Sequence, residues 1–115
     1  MKKLLFLLFL SPFITYGQDI CDGNNDLCVV QFNASFNASN EVTWLGELTD
    51  CSISNIDILK SPNLQKAHKI VVVPTILILD NGKEVARFQA NIMMTMEATL
   101  KEVQEALDEI IMNKF

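Results

Sequence analysis

The segment Val71-Val72-Val73-Pro74-Thr75-Ile76-Leu77-Ile78-Leu79-Asp80-Asn81-Gly82-Lys83-Glu84-Val85-Ala86-Arg87-Phe88 limits what this chain can become more than any other. Its apolar run is long enough for one continuous strand, but Pro74 interrupts it, and proline has no N–H to give to a strand ladder. Pro74 therefore opens a strand over residues 75–79, and its ring holds the preceding Val73 extended. Asp80-Asn81-Gly82 then supplies the left-handed backbone of a tight hairpin turn, Asn-Gly being the strongest short signal for one. Residues 83–88 return as the partner strand, with Val85 and Arg87 on one face and Ala86 and Phe88 on the other. The segment predicts a hairpin that closes a buried sheet.

Upstream, residues 29–32 read as a short apolar strand and residues 52–58 as a second, parallel one carrying Ile53, Ile56 and Ile58. Between them lies Asn33-Ala34-Ser35-Phe36-Asn37-Ala38-Ser39-Asn40, small and polar with one aromatic. Ser39 or Asn40 is suited to cap a helix and Glu41 to sit in its first turn. This predicts a helix over residues 41–48 that buries Trp44, Leu45 and Leu48. Ser61-Pro62-Asn63 starts another short helix, with Pro62 where prolines are preferred and Leu64, Ala67 and His68 on its inner side. Residues 91–95 lead from the hairpin to the most regular helix. There Leu100, Val103, Leu107 and Ile110 recur at three- and four-residue spacings, with Lys101, Glu102, Glu105, Asp108 and Glu109 outside. The order strand, helix, strand, helix, hairpin, helix is an α/β pattern. It predicts a mixed sheet of parallel strands plus a C-terminal antiparallel hairpin, with helices on both faces.

The first 17 residues read as a separate unit. Lys2 and Lys3, the apolar run 4–10 and Thr15-Tyr16-Gly17 match the charged, apolar and small-residue regions of a secretory signal. The run is broken at Ser11-Pro12 and falls short of the roughly 20 apolar residues of a spanning helix. Ile20 before Cys21 is not the small residue that a lipoprotein signal requires. The expectation is a signal peptide over 1–17 and one domain over 18–115, exported to a bacterial periplasm or the extracellular space. Membrane contact is expected only through the leader, should it stay uncleaved. Losing Lys2 and Lys3 takes the formal charge from −5 to −7, and so acidic a chain lacks the basic footprint that nucleic acids and anionic membranes demand.

All three cysteines, Cys21, Cys28 and Cys51, lie in the mature part, and an oxidising compartment predicts one disulfide and one leftover thiol. Three pairings are open. Cys21 and Cys28 flank a polar, glycine-containing loop that lets the chain fold back within the short Cα separation a disulfide demands. A Cys28–Cys51 bridge would join neighbouring parallel strands against their pleat. Cys21–Cys28 is the favoured pair, with Cys51 reduced and partly buried.

Residues 71–88, with a helix after them, resemble the C-terminal half of the thioredoxin family. There a Val-Pro-Thr like Val73-Pro74-Thr75 carries a cis proline, followed by an apolar strand, an Asn-Gly turn and a strand like Glu84-Val85-Ala86-Arg87-Phe88. The resemblance covers nearly the whole mature chain. It implies a thioredoxin-like fold, a cis Val73–Pro74 bond and a proline loop facing the family's active-site position. Aligned on residues 29–32, the family's Trp-Cys-x-x-Cys motif falls on Phe36-Asn37-Ala38-Ser39-Asn40, so asparagine stands at both cysteine positions. The family's buried acid falls on Gln31, the lysine paired with it on Asn55, and the glycine beside the proline loop on Ala90.

A thiol–disulfide enzyme of this kind needs two cysteines three positions apart at a helix N-terminus, which lowers the pKa of the first. No two cysteines here are so spaced. The resemblance thus implies a redox-inactive domain with no catalytic residue and no cofactor. It implies a protein partner bound in the groove where active relatives accept extended peptide, lined here by Asn37, Ala38, Ser39, Asn40, Val73 and Pro74. One competing reading is an oxidoreductase that works through Cys21 and Cys28, or through Cys51, away from that place. Another is a structural subunit whose partner covers the edge at residues 93–96.

Several residues also have plainer explanations. Asn37 and Asn40 satisfy exposed amide groups at a helix start. Asn33-Ala34-Ser35 and Asn37-Ala38-Ser39 are formal glycosylation sequons, which matter only in a eukaryotic secretory route. His68 has no Cys, His or Asp at ligand spacing, so no metal is expected. Met93, Met94 and Met96 fill gaps under the last helix. Gly23, Gly46 and Gly82 form no phosphate-binding pattern.

Overall fold

The computed structural model describes Ile20, Cys21 and residues 26–115; the expected leader over 1–17 and the loop residues 22–25 lie outside the described residues. Strands β1 (Leu27–Asn33), β2 (Ser52–Asp57), β3 (Thr75–Asp80) and β4 (Lys83–Gln89) form one sheet in the order β2-β1-β3-β4. Among the described residues, the α-helices α1 (Pro62–Ala67) and α2 (Leu100–Met112) accompany it. β1 runs parallel to β2 and antiparallel to β3, and β3 is antiparallel to β4. This is the mixed α/β sheet that the sequence predicts.

The hairpin forms as its turn chemistry dictates. Asn81 (φ 52°) and Gly82 (φ 86°) both adopt the left-handed backbone of a two-residue primed turn, with Asp80 opposite Lys83. Leu79 faces Glu84 while Ile78 faces Ala86, so Val85 is the extra residue of a bulge. Ala86 and Phe88 consequently turn towards α2, and Arg87 turns to the other face. The Val73–Pro74 bond is cis.

Two apolar clusters sandwich the sheet because β1 and β3 are buried on both faces. Cys28, Val30, Phe32, Leu77 and Leu79 pack on the side of Leu64 from α1. Leu27, Val29, Ile76 and Ile78 pack against Val103 and Leu107 of α2. A capping box starts α2, in which the Thr99 hydroxyl accepts from the Glu102 N–H and Glu102 accepts from the Thr99 N–H. Cys21 and Cys28 form the disulfide that the sequence favours, with Cα atoms 6.1 Å apart, and Ile20 beside it is buried in the first cluster. Cys51 is unpaired and half-buried.

The helix expected over residues 41–48 does not form. A 3₁₀ turn, Ser35–Asn40, precedes that span, a second, Leu45–Glu47, is all the helix within it, and Glu41 is extended (φ −60°, ψ 137°). The reason lies in β1. The Gln31 carboxamide bonds both the N–H and the carbonyl of Val42, and that carbonyl is one a helix would need for its own ladder. Val42 and Thr43, both β-branched, also favour an extended chain. Leu45 and Leu48 are buried all the same, and Trp44 is half-buried at the edge of the α2-side cluster.

The disulfide closes a short loop, so reducing it is expected to lower stability by about 2–3 kcal/mol on the chain-entropy estimate. Urea unfolding with and without reductant measures this. Peptide mapping of the unreduced protein should give one linked peptide joining Cys21 to Cys28, and a linked peptide containing Cys51 would contradict the arrangement.

Candidate functional site

The C-terminal end of β1 is lined with carboxamides rather than charges. Gln31 is 1% exposed. Its Oε1 accepts from the Val42 N–H at 2.8 Å, while Nε2 donates to the Val42 carbonyl at 3.1 Å and to Asn55 Oδ1 at 3.0 Å. Asn55 is its register partner on β2. The positions where the resemblance places an acid and its lysine are therefore joined by an amide–amide hydrogen bond. A carboxamide offers donors and acceptors together, so it closes this arrangement with no buried charge.

Two residues on, β1 ends at Asn33, which exchanges bonds with Asn37. Asn33 Nδ2 donates to the Asn37 carbonyl and Asn37 Nδ2 donates to Asn33 Oδ1, both at 3.2 Å. Asn37 is 3% exposed, and the same Nδ2 also reaches the Val73 carbonyl (3.4 Å), just before Pro74, and the Met94 carbonyl (3.2 Å). Asn40 Nδ2 donates to Asn37 Oδ1 at 2.9 Å. One side chain thus ties the end of β1, the proline loop and the 91–95 loop together. Asn37 and Asn40 therefore bond within the fold, not to free amides at a helix start. Both sequon asparagines are buried in this network, and a glycan on either would break it.

Beside this network lies an apolar cleft enclosing about 210 Å³, with Phe36, Ile58, Ile70, Val73 and Met94 among its lining residues. Its rim is unusually bare: Phe36 is 66% exposed, Val71 78% and Ile92 96%. The 91–95 loop is nonetheless ordered by its own polar bonds. Asn91 Oδ1 accepts from the N–H groups of Met93 and Thr95, and the Asn91 N–H donates to the Thr95 carbonyl. Met94 sits in the left-handed region (φ 59°). The loop therefore holds Ile92 and Met93 out in water at the expense of backbone strain. Of the three methionines expected under the last helix, only Met96 packs with the α2-side cluster, and Met93 and Met94 are exposed.

The six residues singled out for a groove divide between these features. Val73 lines the apolar cleft; Asn37 and Pro74 are buried behind it; Ala38 and Ser39 are exposed on the turn, with Asn40 half-buried. Ile92, Val71 and Phe36, all absent from that set, are in that order the cleft's most exposed neighbours. The only sequence signal for Phe36 is a lone aromatic in a polar run, and Ile92 has none. The cysteines lie at the opposite end of the sheet. Cys28 precedes Asn33 by five strand residues, about 16 Å at about 3.3 Å per residue, and Cys51 precedes β2. Burial, and secondarily the neighbouring Asp50, push the Cys51 thiol above its ordinary range, away from reactive thiolate. Among the described residues, no three His, Cys, Asp or Glu side chains converge as metal ligands.

His68 caps the C-terminal end of α1 with its ring 5.7 Å from that of Phe32, and its Nε2 is buried with no hydrogen-bond partner. Arg87 fastens β4 to the same corner. It grips Glu84 at 2.8 and 2.9 Å and donates to the carbonyls of His68 and Lys69. Burial pushes the His68 pKa below its ordinary value, with Arg87 adding to this and Glu84 opposing it. The hydrogen bond from Arg87 holds the Glu84 carboxyl low.

No protein-family model matches this sequence, and no curated protein does. Solved structures do match the fold. A mutant thioredoxin from Halobacterium salinarum is 24% identical with a TM-score of 0.55, covering 76% of this chain and 74% of its own. Schistosoma mansoni thioredoxin is 20% identical with a TM-score of 0.60, over 76% and 80%. Thioredoxin-2 of the malaria parasite is 17% identical with a TM-score of 0.61, over 74% and 84%.

Two predictions rest on this geometry. Asn37→Asp keeps the shape but turns a carboxylate towards three oxygens, so it should cost about 3 kcal/mol at neutral pH. Denaturant unfolding should show that loss shrinking as acid protonates the new group, while the exposed Ser39→Ala stays near the parent. For His68, a folded pKa below the unfolded 6.5 means stability present above that value and lost as pH falls through the folded pKa. The Glu84 contribution begins to fade only below 4.5. Melting temperature should therefore decline as pH falls below about 6.5, before the Glu84 contribution begins to fade, and His68→Leu should flatten that decline.

Proposed function

We propose, from the thioredoxin-like fold that these structural likenesses establish, that the chain is a redox-inactive, exported module that binds a segment of another protein in its apolar cleft. The observation that carries the reading is the placement of Asn37. Its carboxamide fills the position that the resemblance gives to the first redox cysteine, and it is spent on three backbone segments. Among the described residues, the cysteines lie at the other end of the sheet from the proline loop. The backbone around it is a 3₁₀ turn in which Asn37 itself is non-helical (φ −113°, ψ 24°). The long helix end that would stabilise a thiolate is replaced along with the thiols.

Binding is supported by what surrounds that plug. Phe36, Val71 and Ile92 are bare apolar side chains on an ordered frame, around a cleft of about 210 Å³. Scattered exposed apolar residues need no explanation, but a group of them rimming one cleft does. Among the hydrogen bonds of the described residues, none engages the Val71 N–H, which leaves backbone as well as side chains for an extended segment. Export rests on the leader pattern and agrees with the Cys21–Cys28 disulfide. That disulfide reads as structural, because Cys28 is buried in the core.

The test has two parts. Purified protein should reduce insulin no faster than the reductant alone. An N-acetylated Leu-Met-Leu amide should shift the NMR signals of Phe36, Val71 and Ile92, and a Phe36→Ser/Ile92→Ser variant should bind it at least about tenfold more weakly. Insulin reduction at the rate of an active thioredoxin control, or no response to the peptide, would overturn the reading.

A further inference from the structure

The turn Ser35–Asn40 is a ridge with a cleft on either side. Phe36 and Ile58 line the apolar one, while Ala34, Ser35 and Ile56 line a second, which encloses about 330 Å³. The segments 34–36 and 56–58 thus serve both, and the two clefts adjoin. The second is polar in a particular way. Gln31 and Asn33 lie buried at its base, and Asn55, Glu41 and Asp57 stand around it.

Its chemistry is dominated by acceptors. Glu41 and Asp57 bring two formal negative charges, no lysine or arginine is among its lining residues, and neither carboxylate has an ion-pair partner among the described residues. Asp57 Oδ1 accepts only from the Leu59 N–H. The amides at the base are fixed by their internal bonds, yet the carbonyl oxygens of Gln31, Asn33 and Asn55 each accept one bond and have a second lone pair. An anion would meet two carboxylates here, and an apolar group would cover amides without satisfying them. A cation that only donates fits.

We propose that this cleft is a subsite for an arginine or lysine side chain of the same protein segment whose apolar residues enter the Phe36 cleft. The proposal rests on the docking function above and adds the partner's chemistry. The segment crosses the ridge with an apolar residue on one side and a basic one on the other. The acidic balance of the chain, −5 overall, favours approach of such a segment.

The test follows NMR signals of the isotopically labelled protein with four probes: Nα-acetylarginine amide, its neutral citrulline analogue, and the peptides Ac-Leu-Met-Gly-Arg-NH2 and Ac-Leu-Met-Gly-Cit-NH2. Arginine amide should shift the side-chain amide signals of Gln31 and Asn55 while the citrulline analogue does not. The arginine peptide should bind about tenfold tighter than its citrulline twin, less so in high salt. Glu41→Gln with Asp57→Asn, which keeps the Asp57 acceptor for Leu59, should abolish that preference. Equal binding of the two peptides, with Phe36 and Ile92 responding, overturns the basic subsite alone. Response at Gln31 and Asn55 with none at Phe36 and Ile92 overturns the docking reading and the shared segment together.

Discussion

One carboxamide holds three pieces of backbone together. The end of β1, the residue before Pro74 and the carbonyl of Met94 are far apart in sequence, and all accept from Asn37 Nδ2. The contacts to Asn33 and Val73 are buried, and stranding a buried oxygen costs about 1–3 kcal/mol; the two hydrogens of Nδ2 are shared among the three acceptors. A shorter or apolar residue at 37 reaches none of them, and an acid of the same shape repels all three. Asn40 then fixes the orientation of the Asn37 carboxamide by donating to its oxygen. The geometry of both clefts depends on this, because the ridge that separates them is the turn that Asn37 anchors.

The same substitution of amides for charges runs deeper into β1. Gln31 joins Asn55 and clamps Val42, which keeps residues 41–43 out of a helix. What remains at this end of the sheet is stiff, neutral inside and free of thiols. Surface features follow from that frame. Phe36 is turned outward by a helix-poor turn, and Ile92 and Met93 are held in water by the Asn91 bonds. Those apolar side chains belong to neither core cluster.

How far the sequence was legible depended on whether local chemistry or distant contacts decided each element. The hairpin was readable because Asn81-Gly82 and Pro74 act through their own backbone, and α2 because Leu100, Val103 and Leu107 mark one face. The disulfide followed from loop length and compartment. The segment 41–48 was misread because its capping residues signal a helix, whereas Gln31, ten residues earlier, decides its conformation from the neighbouring strand. Asn37 and Asn40 read as satisfying amides at a helix start for the same reason. A carboxamide's sequence context does not disclose whether its partners are water or the backbone of a loop nearly sixty residues away. The bulge that frees Val85 and the exposure of Ile92 had no local signature at all.

The Asn37 side chain is a buried, engaged tie and not a surface residue of an open groove. Hydrogen exchange of its Nδ2 protons in the native protein tests this most directly. The side-chain amide signals of Asn37 should be dispersed and strongly protected, exchanging only with opening of the proline and 91–95 loops. Exchange as fast as that of the exposed Asn63 side chain would contradict it.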